Sequence, residues 1–325
     1  MFNEPVSGHT HDHIDWADRL ALLRAADALD APAQAAIAAR LAEKLPVNPT
    51  VIDLGCGAGG MSTHFAQALA ARSGGTIILV DATPELLHEA ERAVRAAAQD
   101  HRSGGSTLTG NGRAPGPSGG QHAAAEGTTP TVEVRAVVAD LADGSLPDLL
   151  PTADLVWASR VVHHLPDQQA AIGTLTAIAL ADGVVALSEG GLSFSCLPWD
   201  LGLGRPGLED RLQAAQAEWF VGMREGIDGA VPMPYGWTVA LERAGLADVS
   251  SFSALVDHPA PGSDGLTDYV HHHLSRLATH GADHLSDEDR ATLAALLDPV
   301  SSHYLGKRRD LFLLGARTVH YGRRP

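Results

Sequence analysis

Val51-Ile-Asp-Leu-Gly-Cys-Gly-Ala-Gly-Gly60 is the stretch from which the rest of this 325-residue chain is read. It reads as a short buried strand, a glycine-rich turn and the start of a helix. Glycines let a backbone come close to a ligand, and open α/β sheets bind ligands at the carboxyl ends of their strands. Gly55, Gly57 and Gly60 satisfy the spacing GxGxxG, and Asp81 lies at about the distance expected of a ribose-holding acid. That pattern alone leaves a nicotinamide-dependent oxidoreductase open. Asp53 weighs against it. A carboxylate beside the turn repels a pyrophosphate and attracts a ligand that carries an ammonium and a sulfonium.

Outward from the turn the chain alternates between strand and helix. Strands are expected at residues 50–54, 76–81, 131–139, 153–158 and 183–189. Helices are expected at 60–71, at 84–98 behind Thr83 as N-cap, and at 167–180. This alternation implies a parallel sheet covered on both faces. Residues 14–45 read as helix, broken near Asp30-Ala-Pro32. Residues 100–130 are rich in Gly, Ser, Thr and Pro without an apolar period, so a flexible surface insertion is expected there. After Gly191 the pattern loosens: helices at 207–224, 237–244, 267–280 and 286–297, strands at 246–256 and 310–321.

S-adenosylmethionine (SAM) carries the charges that Asp53 favours, and here the chain resembles the class I SAM-dependent methyltransferases. Residues 51–60 resemble that family's first motif, and I-I-L-V-D (77–81) its second. V-V-A-D-L (137–141) resembles the third, residues 153–167 the fourth-strand segment and residues 180–189 the fifth strand. Order and spacing agree over about residues 45–192. The resemblance implies an α/β fold, a Rossmann-like doubly wound seven-stranded sheet of order 3-2-1-4-5-7-6 with helical lid elements. Residues 46–325 would form that domain, with a helical lid at 1–45 and further lid insertions at about 193–235 and 262–305.

The same resemblance assigns the cofactor residues. Asp53, Gly55, Cys56 and Gly57 form the turn, Asp81 and Ala82 meet the ribose, and Asp140 and Leu141 meet the adenine. Ser159 and His164 follow the fourth strand on the same side. The implied reaction moves a methyl group from SAM to a small-molecule acceptor by in-line displacement, leaving S-adenosylhomocysteine (SAH). A SAM-binding sensor or scaffold without turnover keeps the same motifs, because so activated a donor needs no obligatory catalytic residue.

Other candidates come from residue chemistry. His163 or His164 is a candidate base for a hydroxyl acceptor, since imidazole titrates near neutral pH. Trp199, Trp219, Phe220, Met223, Tyr235 and Trp237 concentrate apolar surface after the fifth strand, and with Trp16 they are candidates for an acceptor pocket. His9, His11, Asp12 and His13 cluster near the start, and His271-His272-His273 lies on an expected helix where neighbours diverge. No metal is expected at either.

Composition narrows the partners. Asp and Glu outnumber Lys and Arg by 39 to 23, a formal charge of −16, which disfavours nucleic acid. No apolar run reaches the roughly 18 residues of a membrane span. No secretory leader is read at residues 1–10, and the two cysteines, Cys56 and Cys196, fit a reducing cytoplasm better than a disulfide framework. Of the basic residues only Lys44 and Lys307 are lysines, which with the many alanines suggests a GC-rich bacterial source.

Overall fold

The computed structural model describes residues 16–104, 130–142 and 144–325. The His9–His13 cluster and most of the expected insertion lie outside the described residues.

Strand β1 (Thr50–Leu54) shows how the apolar sequence makes two cores. Alternate side chains of a strand face opposite ways. Val51 joins Ile77, Leu79, Leu155 and Trp157 on one face, while Ile52 and Leu54 join Ile78, Val80 and Val156 on the other. Helices α1 (Trp16–Ala42), α2 (Gly60–Ala70) and α3 (Pro84–Gly104) cover the first face through residues such as Ile37, Phe65 and Val94. Helices α4 (Leu146–Leu149) and α5 (Gln168–Ala177) cover the second through Leu146, Ile172 and Leu175. Phe65 meets Trp157 edge to face at 5.7 Å, a pairing that adds about 0.5–1.5 kcal/mol beyond area burial.

The remaining strands are β2 (Gly75–Asp81), β3 (Val132–Val138), β4 (Ala153–Ser159), β5 (Ala179–Ser195), β6 (Ala247–His258) and β7 (Leu313–Arg323). Among the described residues they form one sheet in the order β3-β2-β1-β4-β5-β7-β6. β1 pairs in parallel with β2 and β4, and β7 is antiparallel to both β5 and β6. This is the order and the doubly wound architecture expected. Helix α7 (Trp237–Arg243) lies on the second face through Ala240 and Leu241. Helices α6 (Leu208–Glu225), α8 (Asp264–His280) and α9 (Asp287–Leu297) build a third core against the far ends of β5 and β7. Among the described residues no helix is long and apolar enough to cross a membrane.

Three differences from expectation have a clear physical reason. Helix α1 runs unbroken through Pro32. A proline removes one helical donor and crowds the preceding turn, but Asp30 is pinned by Arg317 and Ile37, Ala38 and Leu41 are buried, so tertiary contacts hold both halves in line. Helix α3 continues to Gly104, past the expected start of the insertion, because Gln99 to Arg102 do not break a helix. β5 runs on through Gly190-Gly191, where the expected strand stopped. The pairing with β7 shifts register there, and a Cβ on Gly191 would lie 2.3 Å from the Ala316 carbonyl. The glycines make an irregularity within the strand, not its end.

Candidate functional site

The turn after β1 is built by the backbone. The Gly55 and Cys56 N–H groups both donate to the Val80 carbonyl, at 2.8 and 3.1 Å. Gly55 has φ 68°, and a Cβ there would meet Val161 Cγ2 at 2.4 Å, so only glycine fits. Gly57 has open space where a Cβ would stand. Its N–H donates to Asp81 Oδ2 at 2.9 Å, while Asp81 Oδ1 accepts the Thr83 N–H at 2.9 Å. Asp81 thus ties the end of β2 to the glycine turn.

Asp53 faces α2, where Ser62 Oγ donates to its Oδ2 at 2.5 Å. Burial pushes its carboxyl up to about 7, with Asp81 and Asp27 adding repulsion and the Ser62 hydrogen bond opposing. Such a carboxylate is poised to meet a cation. Burial also raises the Cys56 thiol well above its ordinary value, so this sulfur stays protonated and is no nucleophile.

Above the turn lies a cavity of about 660 Å³. Asp53, Gly55, Cys56 and Gly57 form its floor. Ser159, Arg160, His163 and His164, from the end of β4 onward, form one side. Leu23, Asp27 and Gln34 of α1 close another, and Trp219, Phe220 and Met223 of α6 with Arg276 and His280 of α8 stand opposite. Trp219 stacks on His280, with ring centres 3.8 Å apart and 12° between planes.

The two histidines separate clearly. His163 Nδ1 lies 2.6 Å from Glu189 Oε2. Glu189 is buried, and its Oε1 accepts the Val161 and Val162 N–H groups at 3.0 and 2.9 Å. That carboxylate fixes the ring and favours a proton on Nδ1, leaving the Nε2 lone pair free. His164 has no such carboxylate partner, and burial, then the neighbouring His163, lowers its pKa. Arg224 ties α6 over this loop by donating to the His163, Leu165 and Pro166 carbonyls at 3.0, 2.7 and 3.3 Å.

Not every expected residue enters the cavity. Asp81, Ala82, Asp140 and Leu141 stand at the ends of β2 and β3, beside its lining. Asp140 Oδ1 accepts the Ala142 N–H at 2.9 Å, and Leu141 packs on the second core. Trp219 and Met223 line the cavity, whereas Tyr235 and Trp237 do not: both pack on the second core, and Tyr235 donates to Gln169 Oε1 at 3.0 Å under the Arg243 guanidinium. Aromatic clustering in sequence missed that α7 lies across the sheet from α6. Of Trp16 only its place at the start of α1 is described. On α8, His271 Nε2 bonds the Leu297 carbonyl at 3.1 Å while burial drives His273 down to about 4, so these neighbours serve packing.

The reading from sequence missed Asp27, Gln34, Arg160, Glu189, Arg276 and His280. A signal existed for Glu189, an acid closing an apolar strand as Asp53 and Asp81 do. None existed for the others, which depend on where α1, α6 and α8 land.

A family model described as a methyltransferase domain matches residues 24–251, more than half of the chain. No curated protein sequence matches it. Similar solved structures include the YcgJ protein of Bacillus subtilis, at 18% identity, covering 90% of this chain and 98% of that one with a TM-score of 0.43. Two others are SAM-dependent methyltransferases in complex with SAH. That from Thiobacillus denitrificans has 16% identity, coverage of 88% and 90%, and a TM-score of 0.41. That from Geobacter sulfurreducens has 15% identity, coverage of 88% and 89%, and a TM-score of 0.41. On the family match, the sheet order and the glycine turn, the chain belongs to the methyltransferase-domain family, as a class I, SAM-dependent member.

Proposed function

We propose that this protein methylates a hydroxyl group of a small molecule, with His163 as the base. The observation that carries this reading is the His163–Glu189 pair at 2.6 Å on the wall of the cavity that begins at the glycine turn. The cavity is of small-molecule size and is walled by α1, α6 and α8, which favours a small acceptor over a macromolecule. The acidic balance of the chain agrees.

The residues present fit the donor. Gly55 and Gly57 leave a cradle that a side chain would fill or strain, and the buried Asp53 offers a carboxylate to an ammonium. Gly55, Cys56 and Gly57 would hold the methionyl part, with Ser159 and His164 beside it. Asp81 with Ala82 would hold the ribose, and Asp140 with Leu141 the adenine. When bound, SAM supplies an activated methyl carbon, which leaves sulfur with the bonding pair staying on sulfur as the acceptor oxygen takes it. Glu189 holds the His163 ring. Nε2 of His163 accepts the hydroxyl proton as the new C–O bond forms. The α1, α6 and α8 walls exclude water and orient the acceptor.

Calorimetric titration with SAM, SAH and NADH tests the donor. Micromolar binding of the first two and none of NADH is expected; the reverse sinks the reading. SAH release is then measured against a panel of phenols, alcohols and amines. Release with hydroxyl acceptors supports the proposal. Release with amines alone removes the need for a base, and binding without any release makes the chain a SAM sensor.

A further inference from the structure

Arg160 directly follows β4 in left-handed backbone, φ 56°, a costly state for a residue with a Cβ. Its N–H donates to the Ser188 carbonyl at 3.0 Å, and Glu189 takes the next two N–H groups. The β4–β5 contact therefore enforces this conformation. The side chain lines the cavity and is exposed within it. Burial, then repulsion from Arg317, lowers its pKa below the ordinary arginine value.

The guanidinium has no hydrogen bond or ion pair with any described residue. Two acids act on it electrostatically, each with a hydrogen-bond partner of its own. Asp30 Oδ2 takes Arg317 Nε and Nη2 at 3.0 and 2.7 Å, and Asp27 Oδ1 takes Gln34 Nε2 at 3.2 Å. A guanidinium presents five donors in a fork that matches a carboxylate. With no acceptor in hydrogen-bond contact among the described residues, it can take an anion that the ligand brings. Arg276 adds a second cation on the opposite wall, beside the flat Trp219–His280 stack.

We infer that the acceptor is an organic acid with an aromatic ring, and that Arg160 holds its carboxylate while the ring lies along Trp219. This rests on the methyl-transfer reading above. The donor brings a carboxylate too, and Asp27, which acts on the Arg160 cation, also stands against Gly60 of the turn, so the experiment must separate the two carboxylates.

The test loads the full chain with SAH and titrates salicylate, 4-hydroxybenzoate and 4-hydroxyphenylacetate, each beside its primary amide. At least one acid is expected to bind about tenfold or more tighter than its amide. Arg160→Gln should erase that preference and Arg160→Lys restore part of it, with SAH affinity held within about twofold in both. The inference is overturned if amides bind as well as acids, or if none of the acids binds. It is also overturned if Arg160→Gln weakens SAH itself about tenfold, which assigns the arginine to the donor's carboxylate. Failure of the wild-type chain to bind SAH would instead refute the methyl-transfer reading, so the two are distinguished.

Discussion

The floor of the cavity and its far wall are built by different physics. The floor joins neighbouring parallel strands through backbone N–H groups: Gly55 and Cys56 donate to the Val80 carbonyl, Gly57 to the Asp81 carboxylate. The wall joins α1, α6 and α8 through side chains, such as Trp219 on His280 and Arg317 on Asp30. A floor of backbone is rigid and tolerates few residue types. A wall of side chains can vary while the fold persists. This division teaches why a shared donor and a private acceptor can meet in one cavity: changes to the wall should leave the floor's ligand alone.

The largest expected effect lies where floor and wall meet. His163→Ala should lower kcat roughly a hundredfold or more, while SAH affinity stays within about twofold. His164→Ala should cost less. Glu189→Gln should lower kcat less than His163→Ala and shift the pH–rate profile, since Glu189 acts through the ring. Single-turnover assays decide, and a larger loss at His164 reverses the assignment.

Next comes the floor. If Asp81 holds the ribose as proposed, Asp81→Ala should weaken SAH at least about tenfold, on the order of 1.4 kcal/mol, since the same carboxylate also holds the Gly57 N–H. Unchanged affinity by calorimetry refutes the ribose role.

The pH dependence of the floor has a definite sign. Asp53 titrates at about 7, so it is ionised above that pH and protonated below it. A donor ammonium favours the ionised form. SAH affinity should therefore fall as pH drops through 7, by roughly tenfold between pH 8 and pH 6. Without ligand the slope of stability reverses. The folded carboxyl holds its proton from about 4 to 7 while the unfolded one has lost it, so apo stability falls as pH rises across that window. A flat SAH profile, or one that persists in Asp53→Asn, removes Asp53 from donor binding.

The smallest effect belongs to the wall. Trp219→Ala removes the stack on His280 and should raise the acceptor KM about three- to tenfold, the scale of one ring pair. SAH affinity should not move. If it does, floor and wall are not separate, and the comparison fails.

Much of this was legible in the chain itself. The alternation of apolar runs and helices predicted the sheet, because a doubly covered parallel sheet demands it. The resemblance to the class I methyltransferases implied the order 3-2-1-4-5-7-6, which the sheet shows. The break at Pro32 failed because local propensity was outweighed by the buried Asp30–Arg317 pair, two residues 287 apart in sequence. Tyr235 and Trp237 failed because residue type says nothing about which side of a sheet a helix takes.

The sequence by itself determined the strands of the first half, the glycine turn and the acids at the strand ends, because these follow from backbone conformations set within a few residues. Tertiary structure alone decided that His163, not His164, meets Glu189, and that the Arg160 guanidinium stands in the cavity without a hydrogen bond or ion pair to any described residue. The first pairing spans 26 residues, and the cavity around Arg160 needs α1 and α8 folded against the end of β4. Such meetings are set by packing of distant segments, which no local pattern encodes.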